Sequence, residues 1–399
     1  MRFLLFLFLI IEASLSLAQT DSIPTIKCDA DSTQSYSICL PPNYSKAQKY
    51  PVLFLFDPVA RGRMVASLYQ KASRDYSFIL IASNNSRNGP MSESLNAANA
   101  MFTDAFKKYS IDDSQIYLGG FSGGARVATT IALQSGGIAG VIACGAGFGE
   151  EIPKPKLPFT FAGIAGTRDF NYVELQQVAA VLQAGGTTTN LLLFKGPHAW
   201  PPADVFRAAL LWSYLQHPKP GADNAAMEKE LHLSSAPYLV KVPADAIAKE
   251  SAYQQKIAEA FRFIMVNSAI DIKSKGWWKG ELSNLGKRLL KHNPDDSNYV
   301  ARQKAFISAN ASESFGNYYS AGRYDTAAEL LLVSEIFEPD SPVVFYRHAL
   351  LSAKEGDEDN ALYYLEQAIK HGFTNKTQMR NEPAFGFLKG NKKYLALLN

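Results

Sequence analysis

Residues 116–128 read IYLGGFSGGARVA, in which an apolar run leads into a glycine-rich turn and then into small residues. A β-strand over 116–119 followed by a helix that begins at Gly124 accounts for this order. A chain that turns this sharply leaves no room for side chains beside the turn, which explains the glycines at positions 120 and 124. Ser122, at the tip of the turn, is predicted to stand exposed at the carboxyl edge of a sheet as a nucleophile.

The alternation of strand and helix continues on both sides of this turn. Short, continuously apolar runs, as expected of parallel strands covered on both faces, occupy Tyr36–Leu40, Val52–Phe56, Phe78–Ala82, Ile116–Gly119, Val141–Cys144, Phe159–Gly163 and Leu191–Phe194. Amphipathic patterns between most of them predict helices over Met64–Arg74, Glu93–Tyr109, Gly124–Gln134, Val173–Ala184 and Ala203–Gln216. Because a parallel crossover needs a helix-length connection, we predict a doubly wound, mostly parallel α/β sheet over about residues 35–217.

The 399 residues exceed the length of one ordinary domain and suggest two. Apolar residues make up 47% and charged residues 19%, a composition typical of a globular protein. The net charge of +3 is too small to favour a nucleic acid or an anionic membrane as a partner. Three cysteines without CxxC spacing or a cluster of histidines do not indicate a metal site.

The N-terminus has the pattern of a signal peptide over residues 1–18. A basic residue precedes the apolar stretch Phe3–Ile11, and small residues at 16–18 predict cleavage before Gln19. The alternative, an uncleaved anchor, is disfavoured because a membrane span takes about 20 apolar residues. The sequence therefore predicts a secreted or periplasmic protein without a membrane span, whose first domain covers residues 19–220.

The cysteines have two expected roles. Cys28 and Cys39 lie close together near the mature N-terminus and could form a disulfide in an oxidising compartment. Cys144 ends an apolar run and is expected to be a buried small hydrophobe rather than a nucleophile.

A linker, HPKPG at 217–221, ends the strand–helix alternation. Residues 225–399 have helical patterns throughout, so we predict an all-α second domain. Within it Gly322–Ala327 recurs as Gly356–Ala361, and this 34-residue period resembles the tetratricopeptide repeat family over about residues 315–371. The early tryptophan of that family is absent, and a plain helical domain is the alternative. Such a repeat could bind a protein partner, or it could only dock on the first domain.

A serine hydroxyl needs a general base, and the base needs an orienting acid. Where a nucleophile sits at a turn of this kind, the acid follows it in the chain and the histidine comes last. His198 lies in the loop after the last predicted strand, and apart from His217 it is the only histidine between Ser122 and the end of the alternating pattern. Asp169, in the loop after the preceding strand, is the candidate acid. A helix N-cap is its ordinary alternative role, and Glu174 is the fallback acid.

Two backbone groups are candidates for the oxyanion hole. The N–H of Gly123 opens the helix after the nucleophile and is predicted to be one donor. The second donor is expected in the loop Asp57–Gly62, where Val59 is favoured and Asp57 is the alternative, because Pro58 has no N–H.

Aromatic residues near the base are candidates for substrate binding. Trp200 is the first candidate for a pocket wall, followed by Tyr172 and Phe148, although core packing is their ordinary alternative. The pair Trp277-Trp278 is expected at the domain junction or at the mouth of the site. The segment 145–158 is too short for a large lid, which predicts an open site and disfavours an interfacial lipase.

Three motifs, at 120–124, 166–169 and 196–201, together resemble the α/β-hydrolase superfamily over about residues 35–217. The residues Ile111-Asp112 and the sequence GPHAWP at 196–201 are similar to its secreted esterases, of the feruloyl, acetylxylan and polyhydroxybutyrate-esterase type. The resemblance implies cleavage of carboxylic esters, small or carbohydrate-linked, through an acyl-enzyme and without a cofactor. The loop after Val52–Phe56 departs from the His-Gly stretch that many esterases have there.

Other functions are compatible with the same fold and the same triad. A peptidase or an acyltransferase could employ this triad, because a fold and a triad do not determine the substrate. A different class of function is an interaction protein in which the helical repeats bind the partner and the first domain is a scaffold. A complete triad in the correct order favours the enzyme.

Overall fold

The computed structural model describes residues 23–149, 156–218, 224–235, 244–267, 272–291 and 296–398. Its first part is built on one eight-stranded sheet. The strands β1–β8 are Thr25–Lys27, Ser35–Cys39, Tyr50–Phe56, Ile79–Ser83, Ile111–Phe121, Ile138–Cys144, Thr160–Arg168 and Thr189–Pro197. They lie in the order β1-β2-β4-β3-β5-β6-β7-β8, with β2 antiparallel to both neighbours and every pairing from β4 to β8 parallel. The predicted doubly wound, mostly parallel sheet is confirmed.

Five helices cover the two faces of this sheet. They are α1 Gly62–Tyr76, α2 Met91–Lys108, α3 Gly123–Gln134, α4 Tyr172–Ala184 and α5 Ala203–Leu215. Helices α2, α3 and α4 share an apolar core with one face, and α1 and α5 share another core with the opposite face. Every residue of β3 and β4 is buried, because both faces are covered, and this explains their continuously apolar sequences. The predicted elements match to within about five residues at their ends, but β1 was missed because three half-exposed residues form no pattern.

The turn between β5 and α3 has no room for side chains at two of its glycines. A Cβ on Gly120 would lie 2.1 Å from the carbonyl oxygen of Gly124. A Cβ on Gly124 would lie 2.0 Å from the carbonyl oxygen of Phe56, at the end of β3. Both obstacles are backbone atoms and cannot rotate away, so glycine is required at both positions for this turn to form.

After residue 218 the described residues form helices and their connections. The helices are α6 Asn224–Ser235, α7 Ala244–Asn267, α8 Ile272–Lys291, α9 Asp296–Ser320, α10 Tyr324–Phe337, α11 Pro342–Lys354, α12 Glu358–Lys370, α13 Lys376–Asn381 and α14 Lys392–Leu398, with a 3₁₀ helix at Pro383–Leu388. Helix α6 packs against α5. Helices α7 to α14, here called the helical segment, enclose a separate core that includes Trp278. The predicted all-α part of the chain is confirmed for the residues described.

The two copies of the 34-residue period have the same local structure. Gly322 joins α9 to α10 and Gly356 joins α11 to α12, and their φ angles are +75° and +74°. Each copy is therefore a helix pair whose turn requires a left-handed residue, which glycine supplies without strain. The assignment of these pairs to the tetratricopeptide family stays a prediction.

Cys28, Cys39 and Cys144 are all free thiols. The suggested disulfide between Cys28 and Cys39 is thus not present in the structure. Cys28 packs into the core that α2, α3 and α4 share with the sheet, whereas Cys39 lies against the core on the opposite face. Cys144 is fully buried, as predicted.

The predicted signal peptide, residues 1–18, and residues 219–221 of the linker lie outside the described residues. None of the helices in the described ranges combines the length and the apolar character that crossing a membrane requires.

A buried arginine ties the helical segment to the sheet. Arg302 on α9 binds both carboxylate oxygens of Glu250 on α7, at 2.6 and 2.7 Å, and donates to the carbonyl oxygen of Thr167 in β7 at 2.7 Å. Its guanidinium also lies 4.1 Å from the ring centre of Tyr172. The side chains of Arg302 and Glu250 are only 10% and 4% exposed. Each charge therefore depends on the other for stability, because neither is solvated by bulk water.

We predict that Glu250→Ala destabilises the protein by about 3–5 kcal/mol, since it leaves the Arg302 cation buried without its partner. Chemical denaturation followed by circular dichroism measures the loss. The matched control is Lys249→Ala, which removes an exposed ion pair to Asp245 on the same helix and should cost at most about 1 kcal/mol. Equal, small losses for the two variants would contradict the role given to Glu250.

A second prediction concerns the turn between β5 and α3. Gly120→Ala should destabilise the protein by about 1–3 kcal/mol or more, because the new methyl group meets backbone that cannot yield. Gly136→Ala is the control, since a Cβ there meets no atom within 4 Å. Thermal unfolding of both variants tests this, and an unchanged melting temperature for Gly120→Ala would show that the turn tolerates a side chain.

Candidate active site

Ser122 sits at a strained turn at the carboxyl edge of the sheet. It lies between β5 and α3 with φ = 53° and ψ = −121°, a conformation that residues other than glycine rarely adopt. Its N–H donates to the carbonyl oxygen of Cys144 at the end of β6, at 2.8 Å. Such strain persists only where the surrounding structure enforces it, and it is concentrated at functional sites. Ser122, the predicted nucleophile, is therefore held in a strained backbone conformation at the tip of this turn.

The loops after β7 and β8 bring an acid and a base together. Asp169 is fully buried, and its Oδ1 accepts from His198 Nδ1 at 2.8 Å and from the N–H of Asn171 at 2.8 Å. The ring of His198 lies between those of Phe121 and Phe170, with centres 4.6 and 4.0 Å away. A carboxylate on Nδ1 favours the tautomer that leaves Nε2 free to accept a proton.

Ser122 and His198 line one cleft, which has a volume of about 1190 Å³ and is called the active-site cleft below. Within the described part of the chain, the Ser122 hydroxyl makes no hydrogen bond to the imidazole. Catalytic hydrogen bonds are often long without substrate and shorten in the complex. The structure thus brings the three predicted residues to one edge of the sheet, with the acid–base contact already formed.

Glu174, the fallback acid, has other partners. Its carboxylate binds Arg126 through two hydrogen bonds of 2.9 Å and accepts from the N–H of Gly147 at 2.8 Å. His198 makes its carboxylate contact with Asp169 instead. The geometry therefore favours Asp169 over Glu174 as the partner of the base.

The loop after β3 is organised by the buried carboxylate of Asp57. This group accepts from the side chain and the N–H of Arg61, from the N–H of Val59 at 2.9 Å and from Trp200 Nε1 at 2.8 Å. Burial by itself would raise the pKa of Asp57, but the hydrogen bonds from Arg61, Trp200 and Val59 outweigh it and hold the pKa below its ordinary value. Asp57 is therefore an anion at neutral pH that fixes the position of the loop.

The two predicted oxyanion donors, Gly123 and Val59, have different surroundings in the structure. Gly123 lines the active-site cleft, and its N–H makes no hydrogen bond to any described residue. Val59 does not line the cleft, its side chain points to solvent, and its N–H is used by Asp57. The structure leaves Gly123 as a candidate and gives Val59 a different role.

Asn88, in the loop between β4 and α2, was not predicted from sequence. A Cβ on Gly123 would lie 1.8 Å from the Asn88 Oδ1, so this carboxamide stands directly beside the start of α3. The N–H of Asn88 donates to the carbonyl oxygen of Pro58 at 2.7 Å, which pins its loop to the Asp57 loop. Its side chain makes no hydrogen bond within the described residues. One asparagine in an ordinary polar loop gives no sequence signal for this position.

The aromatic residues proposed as pocket walls lie behind the cleft rather than in it. Trp200 packs on Phe121 and Tyr69, with ring centres 5.6 Å apart in both cases, and Tyr172 is buried under Arg302. Phe148 is buried in the core against Phe161, and Trp278 is buried within the helical segment. None of these residues lines the active-site cleft, because each ring is used in core or junction packing.

The second wall of the cleft comes from the helical segment. It is formed by Phe306, Ala309, Asn310, Ser312, Glu313, Gly316 and Asn317 of α9 and by Arg347 of α11. The sequence predicts an open site and does not indicate a wall from the other half of the chain, where α9 lines the cleft. Part of the segment 145–158, for which no large lid was expected, lies outside the described residues.

No protein-family model and no curated protein sequence matches the chain. Among solved structures it is similar to an S-formylglutathione hydrolase from Staphylococcus aureus, with 12% identity over 45% of this chain and 90% of that one, and a TM-score of 0.39. It is also similar to the feruloyl esterase module from Clostridium thermocellum, with 13% identity over 45% and 84% of the two chains and a TM-score of 0.38. For a thermostable esterase the values are 17% identity, 54% and 63% of the two chains, and 0.36.

The fold itself is decided by the chain's own topology. Eight strands in the order given above, an antiparallel second strand and a sharp turn at Ser122 between β5 and α3 are the features of one architecture. In its first part this chain has the α/β-hydrolase fold, followed by an all-α part.

Proposed function

We propose that the protein is a serine hydrolase that cleaves carboxylic esters through an acyl-enzyme, with Ser122, His198 and Asp169 as its triad. The observation that carries this proposal is the 2.8 Å contact between His198 Nδ1 and the buried Asp169, in the same cleft as a serine held at φ = 53°. A scaffold protein would have no need for a strained serine in the same cleft as an oriented imidazole.

The chemistry follows from these positions. Ser122 Oγ attacks the ester carbonyl while His198 Nε2 takes its proton, and the resulting imidazolium is stabilised by the hydrogen bond to Asp169. Collapse of the tetrahedral intermediate breaks the bond to the alcohol, which leaves with the proton from His198. Water then attacks the acyl-enzyme, giving its proton to His198, and the acid is released as Oγ recovers the proton.

We propose that the oxyanion is bound by the Gly123 N–H and the Asn88 side-chain amide. Gly123 has a free N–H at the positive end of the α3 dipole, which favours a developing negative charge. Asn88 stands against Gly123, lines the cleft and has an uncommitted carboxamide; its Oδ1 is the atom nearer to Gly123, and a rotation of the amide about χ2 turns Nδ2 into the donor. Asparagine side chains can serve as oxyanion donors, and here one would take the place first given to Val59.

Ser122→Ala should abolish labelling by a fluorophosphonate probe and lower kcat for p-nitrophenyl acetate by about 10⁶-fold, because no nucleophile remains. His198→Ala should have an effect of similar size. Asp169→Asn should lower kcat by about 10⁴-fold, since the imidazole then adopts the wrong tautomer. Glu174→Gln is the comparison and should cause a far smaller fall; a larger fall for Glu174→Gln than for Asp169→Asn would reverse their assignment. If wild-type protein is not labelled, or turns over only p-nitroanilides, the esterase proposal is lost.

Asn88→Ala should lower kcat for p-nitrophenyl acetate by about 10²–10³-fold with little change in KM, because an oxyanion donor acts mainly in the transition state. Asn85→Ala is the matched control. It lies three residues earlier, and its side chain bonds the backbone of Thr33 and Ser35 rather than facing the cleft. A loss in kcat shared equally by both variants would indicate loop damage and remove Asn88 from the oxyanion hole.

A further inference from the structure

The active-site cleft carries an excess of positive charge. Three arginines line it, Arg87, Arg126 and Arg347, against two glutamates, Glu174 and Glu313. Arg126 and Glu174 neutralise each other in an ion pair with distances of 2.9 Å. This excess of positive charge favours a substrate that carries a negative charge.

Arg347 differs from the other arginines because it is partly buried and makes no ion pair with any described carboxylate. Its Nη2 donates to the carbonyl oxygen and the hydroxyl of Ser312, at 3.0 and 2.7 Å, and its guanidinium lies 4.7 Å from the ring centre of Phe315. These contacts hold the group rigidly against α9. Burial lowers the pKa of Arg347 to about 10, against a weaker opposing attraction from Glu338, so the side chain remains a cation at neutral pH.

The contacts of Arg347 leave part of its guanidinium unused. Nη2 is engaged by Ser312, but Nε and Nη1 make no hydrogen bond within the described residues, and each can donate one charge-assisted hydrogen bond to a carboxylate oxygen. A half-buried cation that forms no ion pair costs free energy, which a ligand carboxylate in contact with it would recover. Arg347 lines both the active-site cleft and a smaller pocket beside it, and both of these cavities also include His198.

We propose that Arg347 of the helical segment binds a carboxylate group of the substrate, so that the enzyme prefers esters that carry a negative charge away from the bond that is cleaved. This inference rests on the proposed ester hydrolysis for its reaction, but its binding step does not. It assigns the helical segment a part in substrate recognition, in addition to its part in covering the site.

The test uses two matched pairs of esters and the full chain. One pair has the charge on the acyl side, 4-nitrophenyl hydrogen glutarate and its methyl ester. The other has it on the alcohol side, 3-carboxyphenyl acetate and its methyl ester. In at least one pair, Arg347→Met should lower the ratio of kcat/KM for the charged over the neutral ester by about 10–100-fold, the range for a charge-assisted hydrogen bond. Arg347→Lys, which keeps the charge but loses the fixed planar donors, should fall between.

Arg323→Met is the matched control, because Arg323 also stacks on an aromatic ring of α9, Tyr318 at 4.8 Å, without lining the cleft. It should leave both ratios unchanged. Ratios in Arg347→Met that equal those of wild type in both pairs would overturn the proposal, as would an equal shift in Arg323→Met.

Binding separates this proposal from the proposed reaction. Calorimetry with Ser122→Ala measures the affinity for 4-nitrophenyl hydrogen glutarate and for 3-carboxyphenyl acetate without turnover. Adding Arg347→Met should weaken at least one of them by about 10–100-fold, whether or not wild type hydrolyses either ester. Unchanged affinity for both would overturn the role of Arg347, whereas loss of turnover with retained, Arg347-dependent binding would overturn only the esterase proposal.

Discussion

The structure depends on the close backbone packing where β5 turns into α3. Gly124 approaches the end of β3 so closely that a methyl group would fall 2.0 Å from the Phe56 carbonyl oxygen, and the Ser122 N–H is held by the end of β6. These contacts join three parallel strands at one edge and force Ser122 into its strained conformation. Neighbouring parallel strands end at the same edge of the sheet. The loops that follow β7 and β8, which carry Asp169 and His198, therefore lie beside Ser122.

The helical segment forms part of the wall of the active-site cleft. Arg302 binds Glu250 within that segment and also the carbonyl oxygen of Thr167, two residues before Asp169, the proposed acid. The same helix, α9, supplies most of the second wall of the cleft. One buried cation therefore contacts both the helical segment and the strand that leads into the Asp169 loop.

The sequence predicted two oxyanion donors, Gly123 and Val59, and the structure is compatible with the first but not with the second. Position in the chain indicates Gly123, and the structure is compatible with that prediction because a residue at the start of a helix has its N–H free. The Val59 prediction did not allow for the carboxylate of Asp57, which takes the Val59 N–H and is itself oriented by Trp200, 143 residues further on. The same contact draws Trp200 behind the base, so that it buttresses the site and does not line the cleft. Partnerships at this separation have no local sequence pattern.

Features that depend on the order of neighbouring residues and on hydrophobic periodicity could be predicted from the sequence. Continuous apolar runs specified buried parallel strands, the glycines at 120 and 124 specified the nucleophile turn, and chain order singled out Asp169 and His198. Only the tertiary structure decided which side chains lie on the opposite walls of the cleft. Asn88 reaches Gly123, and Arg347 reaches the active site from the opposite end of the chain, because two separately folded layers pack against each other. Such contacts depend on the docking of whole helices, which no periodicity within a single segment encodes.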